Sequence, residues 1–436
     1  MHSFFGKIQR RLSAAVLLLS GGWALAAPDE TPFPDLGSKK GLQVQMVDDA
    51  LALGVKHAAL NVNLAALMRP EGTGDPANVE KFTFQEKEYA FATGPVASLD
   101  RQVARLSKEG VAVYLILLAY RTGNAELDAV ALHPRVRADH DYSVAGFNSL
   151  TEDGVRWLRA TAAFLAARYS GVEPAGGGRV WGYIVGNEIN SHFMWYNMGL
   201  TPYAEAVSDY EKAFRLAHEG VRAHSRHARL YISLDHFWTM AMPGRSGEEC
   251  GGGKEFIDRF AALARERGDY DWHLAHHPYP EDLGNPRAWA DKSAAFDENS
   301  PRITFRNLEV LARYFERPEL QWQGKPRRII LSEQGFHTPD SADGETLQAA
   351  AYAYAWEKAA RLPGIDAFIY HRHVDHREEG GLRLGLWARK ADSVATPERQ
   401  KPVYSLFKAA DTEGWAGEAA AYLPVTGLKS WDEVMP

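Results

Sequence analysis

The chain has 436 residues, 45% of them hydrophobic and 24% charged, which is the usage of a globular protein and excludes a disordered one. Its formal net charge is −7, from 49 basic and 56 acidic residues, and this argues against a nucleic-acid partner, because phosphate binding needs a cationic surface. One cysteine, Cys250, excludes an intrachain disulfide framework and a multi-cysteine zinc site.

Lys7, Arg10 and Arg11 stand before the apolar run Leu12 to Leu19, and Ala24-Leu25-Ala26 puts small residues where a signal peptidase reads. The run is shorter than the roughly 20 residues that span a bilayer. The expectation is a signal peptide over residues 1–26 and a secreted or periplasmic mature protein with no membrane span. Residues 27–38, with Pro28, Pro32, Pro34 and Gly37, read as a linker, and 39–436 as one domain.

From there helices and strands alternate. A helix around 42–53 leads to a strand from His57 to Asn63. A helix carrying Leu99, Val103 and Leu106 leads to the apolar strand Val111 to Leu118. Ser149 and Glu152 are spaced as a capping box, and Val155, Leu158, Ala162, Leu165 and Tyr169 follow at helical intervals. Strands come next at Val180 to Val185, Leu230 to Leu234, Trp272 to His276, Arg328 to Ser332 and Ile365 to Tyr370. Helices around 203–224, 255–267, 304–316 and 345–361 connect them, and a last one runs from Pro402 to Ala410. Two segments read as insertions, a hairpin over Phe82 to Phe91 and a long polar loop over 120–148. Apolar strands, each reached through a helix, mean a parallel sheet covered on both faces. Seven of them in one chain suit a closed (β/α)₈ TIM barrel with βα-loop insertions, whose first strand falls inside 30–44 without a clear pattern of its own.

Active sites of such barrels lie at the C-terminal ends of the strands. Those ends carry Asn61 and Asn63; Tyr120 and Arg121; Asn187 and Glu188; Asp235, His236 and Trp238; His276, His277 and Tyr279; Glu333; and Tyr370, His371, Arg372 and His373. Glu188 and Glu333 stand out, because a carboxylate at the end of a buried strand is costly without a role or a partner. Two carboxyl groups across one mouth are what glycoside hydrolysis needs: one protonates the leaving oxygen, and the other attacks the anomeric carbon or activates water.

The segment Tyr183-Ile-Val-Gly-Asn-Glu188 resembles the strand-4 signature of clan-A glycoside hydrolases, and Ile330-Leu-Ser-Glu333-Gln-Gly335 resembles their strand-7 signature. His277-Pro-Tyr279 resembles the His-x-Tyr found after strand 6 in several of these families. The resemblance covers about residues 40–410. The whole chain is most similar to a domain-of-unknown-function family in that clan, on the phrases Lys40-Gly-Leu-Gln-Val-Gln-Met, His277-Pro-Tyr-Pro280 and Leu331-Ser-Glu-Gln-Gly-Phe-His337. It implies a secreted retaining glycoside hydrolase that needs no cofactor and acts on an oligo- or polysaccharide. Glu188 would be the general acid/base, Glu333 the nucleophile, Asn187 a donor to the sugar 2-hydroxyl, and Tyr279 a hydrogen-bond donor to Glu333. Many clan members have an Arg where Asn61 and Asn63 stand and a Trp where Tyr370 to His373 stand, so the sugar contacts are expected to differ. Asn61, Asn63, His236, His277 and His371 would contact substrate, with Trp195, Tyr196 and Trp238 stacking on sugar rings.

Two rival readings remain. A carbohydrate-binding barrel without activity is opposed by the presence of both glutamates. A metal-dependent barrel hydrolase is suggested by the histidines at strand ends, but His371-x-His373 lies on the last strand, and two ligands alone do not make a site. Glu248 to Lys254 fails the phosphate-loop spacing and reads as a flexible loop beside the cleft, with Cys250 incidental.

Overall fold

Every side chain of Ala112–Leu118 is buried, which a strand achieves only when both of its faces are covered. In the computed structural model, which describes residues 27–139 and 144–436, this strand is one of eight that close into a parallel barrel. They are β1 (Lys40–Gln43), β2 (His57–Asn63), β3 (Ala112–Leu118), β4 (Val180–Val185), β5 (Arg229–Leu234), β6 (Trp272–His276), β7 (Ile329–Leu331) and β8 (Ile365–Tyr370). Neighbours in sequence are neighbours round the barrel, and β8 pairs back to β1 through Gly41 opposite Ile369. A helix follows each strand: α1 (Val47–Ala52), α2 (Thr93–Lys108), α3 (Glu152–Tyr169), α4 (Tyr203–Arg222), α5 (Gly253–Glu266), α6 (Leu308–Tyr314), α7 (Gly344–Arg361) and α8 (Pro402–Ala409). This is the (β/α)₈ TIM barrel that the periodicity predicts.

The missing first strand is β1, inside the 30–44 window. It occupies the start of the helix expected around 42–53, which begins only at Val47. Four residues are too few to show a period, and Gly41 dilutes the apolar signal for a packing reason. A Cβ there would lie 2.9 Å from His57 Cβ and 2.9 Å from Ile369 Cγ1.

The barrel interior is filled by Ala59, Tyr114, Ile116, Ile184, Tyr231, Ala275, Ile330 and Ile369, all buried. Residues 27–38 run across the N-terminal ends of the strands. There Phe33 lies under the Arg229 guanidinium at 3.7 Å, and Asp29 accepts a 2.7 Å hydrogen bond from Arg179. The expected hairpin is present, Val79–Phe84 against Lys87–Ala92, with Phe91 stacked on Phe164 of α3 at 4.0 Å.

Other details differ from expectation. The N-cap of α3 is Thr151, whose Oγ1 accepts from Gly154 N–H at 3.1 Å, while the Ser149 hydroxyl donates to the Asp209 carbonyl instead. The 120–148 segment holds a helix, Ala125–Ala131, capped by the Asn124 side chain. A small antiparallel pair, Trp387–Arg389 with Pro397–Gln400, follows β8 and left no pattern in the sequence. Among the described residues no helix is long and apolar enough to cross a membrane. The signal-peptide expectation concerns residues 1–26, outside the described ones.

Candidate active site

β4 delivers Glu188 to the C-terminal mouth. The residue adopts left-handed backbone angles, φ 42° and ψ 52°, that turn the chain from the strand into the short helix Ile189–Ser191. Its backbone N–H donates to Ser233 Oγ on β5 at 3.0 Å. Its side-chain Oε1 accepts from His277 Nδ1 at 2.9 Å. His277 Nε2 lies 3.0 Å from Ser332 Oγ, so the imidazole at the end of β6 is clamped between the ends of β4 and β7.

β7 delivers Glu333. Its Oε1 accepts from the Tyr279 hydroxyl at 3.3 Å and its Oε2 from Gln43 Nε2 at 3.1 Å. One oxygen of Glu188, one of Glu333 and a ring nitrogen of His277 lie within 4.8 Å of one another. The two carboxyls therefore face each other across the mouth of the barrel, with an oxygen of each within 4.8 Å of the other.

The surroundings are charged with opposite signs. Burial pushes the Glu333 carboxyl up, but the His371 and His277 charges and the Gln43 hydrogen bond outweigh it and hold it below the ordinary range. Burial pushes His277 down, and its bond to Glu188 and the charge of Glu333 reverse the direction. The Tyr279 hydroxyl is raised by burial and by Glu333, so it stays protonated and keeps donating.

A second layer braces these groups. Asp235, beyond β5, accepts from Asn190 Nδ2 at 2.5 Å, from the Ser191 hydroxyl and from Phe237 N–H at 2.9 Å, and so ties down the turn after Glu188. Burial and the nearby Glu188 push its carboxyl up to about 7 against those bonds. His236 Nδ1 donates to the Tyr279 carbonyl at 3.1 Å and aligns that residue. His371 bonds Gln43 Oε1 through Nδ1 at 2.7 Å and Glu379 Oε1 through Nε2 at 3.0 Å.

The structure thus brings together Glu188, Glu333, His277, Tyr279, His236 and His371. Asn187 and Asn63 are half-buried and Asn61 exposed, the last opening onto a cavity of about 420 Å³ shared with Gln43, Gln45, Arg372 and His373. Trp195 is half-buried at the end of the helix His192–Trp195, beside the small cluster of Phe193, Met194 and Cys250. Trp238 is not a sugar platform. It is 1% exposed, donates to the Glu298 carbonyl at 3.1 Å and meets Tyr314 edge-on at 4.9 Å. Tyr196 is likewise core, its ring against Phe147 and Tyr210. The glycine run after Cys250 is no flexible loop: a Cβ on Gly251 would strike the Tyr203 ring, and Gly251 N–H donates to the Asn190 carbonyl at 2.8 Å.

The His371-x-His373 pair does not converge on one point. His373 points away from His371, its Nε2 to Asp49 at 2.8 Å and its Nδ1 to the Gln45 and Met46 amides. Among the described residues only Glu188, His277 and Glu333 offer atoms close enough to share a cation, and the His277 nitrogen nearest Glu188 is already bonded to it. Gln43, Ser233, Ser332 and Glu379 escaped the sequence reading. Gln43 faces the same barrel side as Gly41 two residues before it, and only knowing where β1 lies would have placed it in the mouth.

Solved structures with this fold include a hyperthermophilic β-glucosidase from Pyrococcus furiosus, 14% identical over 88% of this chain and 85% of that one, with a TM-score of 0.56. A family 39 glycoside hydrolase from Bacteroides cellulosilyticus WH2 is 16% identical over 86% of this chain and 63% of its own, with a TM-score of 0.55. The β-glycosidase of Thermosphaera aggregans is 13% identical over 86% of each chain, with a TM-score of 0.54. At such identities the likeness is one of fold. No curated protein matches the sequence. Residues 32–434 match the profile of a family of unknown function, DUF5722, and the chain belongs to that family.

Proposed function

We propose that the protein is a retaining glycoside hydrolase that cleaves O-glycosidic bonds, β-configured, in an oligo- or polysaccharide outside the cytoplasm. The observation that carries this reading is the pair of carboxyls from β4 and β7 with oxygens within 4.8 Å at one mouth of the barrel. Glu333, ionised and held by Tyr279 and Gln43, attacks the anomeric carbon. Glu188 protonates the departing oxygen. The His277 bond occupies Glu188 Oε1, so the transferable proton sits on Oε2. Once Glu333 is esterified its negative charge is gone, Glu188 gives up its proton more readily, and it activates the water that frees the sugar. The fold likeness to β-glycosidases supports the reading without carrying it.

Variants of the two glutamates test it, after a screen of aryl β-glycosides and polysaccharides has found an active substrate. Glu333→Ala should lower turnover of every substrate by several orders of magnitude. Glu188→Ala should still be glycosylated by a substrate with a good leaving group and then stall; azide, which needs no general base, should restore turnover with a β-glycosyl azide as product. Azide with Glu333→Ala should give the inverted azide. Full activity in both variants would refute the assignment.

A further inference from the structure

Two contacts decide the state of His371. Gln43 Nε2 faces two acceptors, Glu333 Oε2 at 3.1 Å and the Ser332 carbonyl at 3.3 Å. The amide therefore cannot be turned round, and its oxygen is the atom that lies 2.7 Å from His371 Nδ1. An amide oxygen only accepts, so Nδ1 carries a proton. On the other side Nε2 lies 3.0 Å from Glu379 Oε1, while Glu379 Oε2 is bonded by the Arg372 guanidinium. With the Arg372 guanidinium on its other oxygen that group is a carboxylate, and it too only accepts. Nε2 carries a proton as well.

We propose that His371 stands in the mouth as an imidazolium, a cation that positions Gln43 and keeps the carboxyl of Glu333 charged for attack. The charge follows from hydrogen-bond geometry, and its consequence for the reaction rests on the glycosidase reading above. The groups that face the ring come from three elements: Gln43 beyond it on β1, Glu333 after β7, and Arg372, His376 and Glu379 in the loop after β8. β2 ends in Asn61 and Asn63, which bring no charge to the mouth. Gln43 bonds His371 through its oxygen and Glu333 through its nitrogen, so the cation that reaches Glu333 through Gln43 is the imidazolium. Burial raises the Glu333 carboxyl, and His371 is the largest of the effects that bring it down. His371 is a positioning residue here, acting through Gln43.

The test uses the whole mature chain. Long-range ¹H–¹⁵N spectra report the protonation of histidine ring nitrogens, and the His371 signals are those that His371→Gln removes. At pH 7 both nitrogens should read as protonated, and a neutral tautomer would overturn the proposal. Glu379→Gln keeps the ring but removes its counter-charge and leaves Arg372 unpaired beside it; the same signals should then move to the neutral range, which also assigns them if His371→Gln does not fold. With a substrate in hand, His371→Gln should shift the acid limb of kcat/KM upward by about one pH unit, because Glu333 loses the cation that favours its ionised form. An unmoved limb would overturn the positioning role. A protonated His371 in a protein without any glycosidase activity would leave the charge assignment standing and remove the reading it serves; a neutral His371 in an active enzyme would do the reverse.

Discussion

Gly182 lies in β4, the strand that carries Glu188, and it is a glycine because of its neighbour. An alanine Cβ there would sit 2.2 Å from Cδ1, 2.7 Å from Cε1 and 3.2 Å from Cγ of Tyr114. To reach ordinary contact the ring must retreat by about an ångström. It has no free direction. Tyr114 is fully buried, its ring faces Tyr231 at 5.9 Å, and its hydroxyl lies 3.0 Å from His57 Nδ1. Burial pulls His57 down to about 4, so at neutral pH its one N–H goes to the Ser38 carbonyl at 2.8 Å and its Nδ1 accepts from the tyrosine. Overpacking costs about 1–3 kcal/mol, and a buried hydrogen bond lost or stretched adds about 1–2 kcal/mol. Gly182→Ala should therefore destabilise the protein by about 3 kcal/mol. Without the clash the same change would stabilise by about 0.4–1 kcal/mol, since Gly182 has ordinary strand angles. Urea unfolding of the wild type, Gly182→Ala, Tyr114→Leu and the double variant measures the difference. In the Tyr114→Leu background the alanine should cost less than about 1 kcal/mol. Equal costs in both backgrounds would refute the account of this layer.

On the proposed function, Tyr279→Phe removes the 3.3 Å bond to Glu333 and should lower kcat/KM about fivefold to tenfold while raising its acid limb; an unchanged profile would detach Tyr279 from the role proposed for Glu333. Asp209, on α4, is pushed up by burial but brought down from 3.8 to about 2 by His133, Lys212 and Arg135. A lowered carboxylate stabilises the fold above its unfolded pKa and loses that contribution as pH falls from about 4 toward 2, so Asp209→Asn should cost at most about 2 kcal/mol at pH 7 and nearly nothing at pH 2, read from urea midpoints across that range. Exported protein should begin near residue 27, and N-terminal sequencing that still finds Met1 would remove the proposed secretion.

The parts of this molecule that were legible in its sequence are those where the physics is local and repeated. Ala112–Leu118 announces a doubly covered strand by its composition, and the 3.6-residue spacing in α3 announces a helix, although its middle, residues 160–166, is buried all round rather than on one face. Glu188 and Glu333 were legible because a charge closing an apolar run contradicts its surroundings. What could not be read depended on long-range placement. β1 is four residues long, and its Gln43 enters the mouth only through pairing with β2 and β8. Glu379 reaches His371 from a loop with no periodicity. Trp238 and Trp195 looked alike as aromatics near strand ends; the Glu298 carbonyl and Tyr314, both distant in sequence, make the first a core residue.

The bonds around Glu333 cross the seam of the barrel. Gln43 belongs to the first strand, Glu333 follows the seventh and His371 follows the eighth, so the chain's beginning and end meet at this one carboxylate. The same seam is fastened lower down by Lys39 on the Ala359 and Leu362 carbonyls and by Lys40 on those of Lys408 and Ala410. Contacts between segments more than 300 residues apart close late, because the loop entropy has to be overcome first. A nascent chain still lacking β8 has Glu188 and Glu333 yet no closed ring to support the second. On the proposed function, hydrolytic competence arrives together with closure, so turnover of a chromogenic glycoside would time the final step of folding and unfinished copies would be chemically silent.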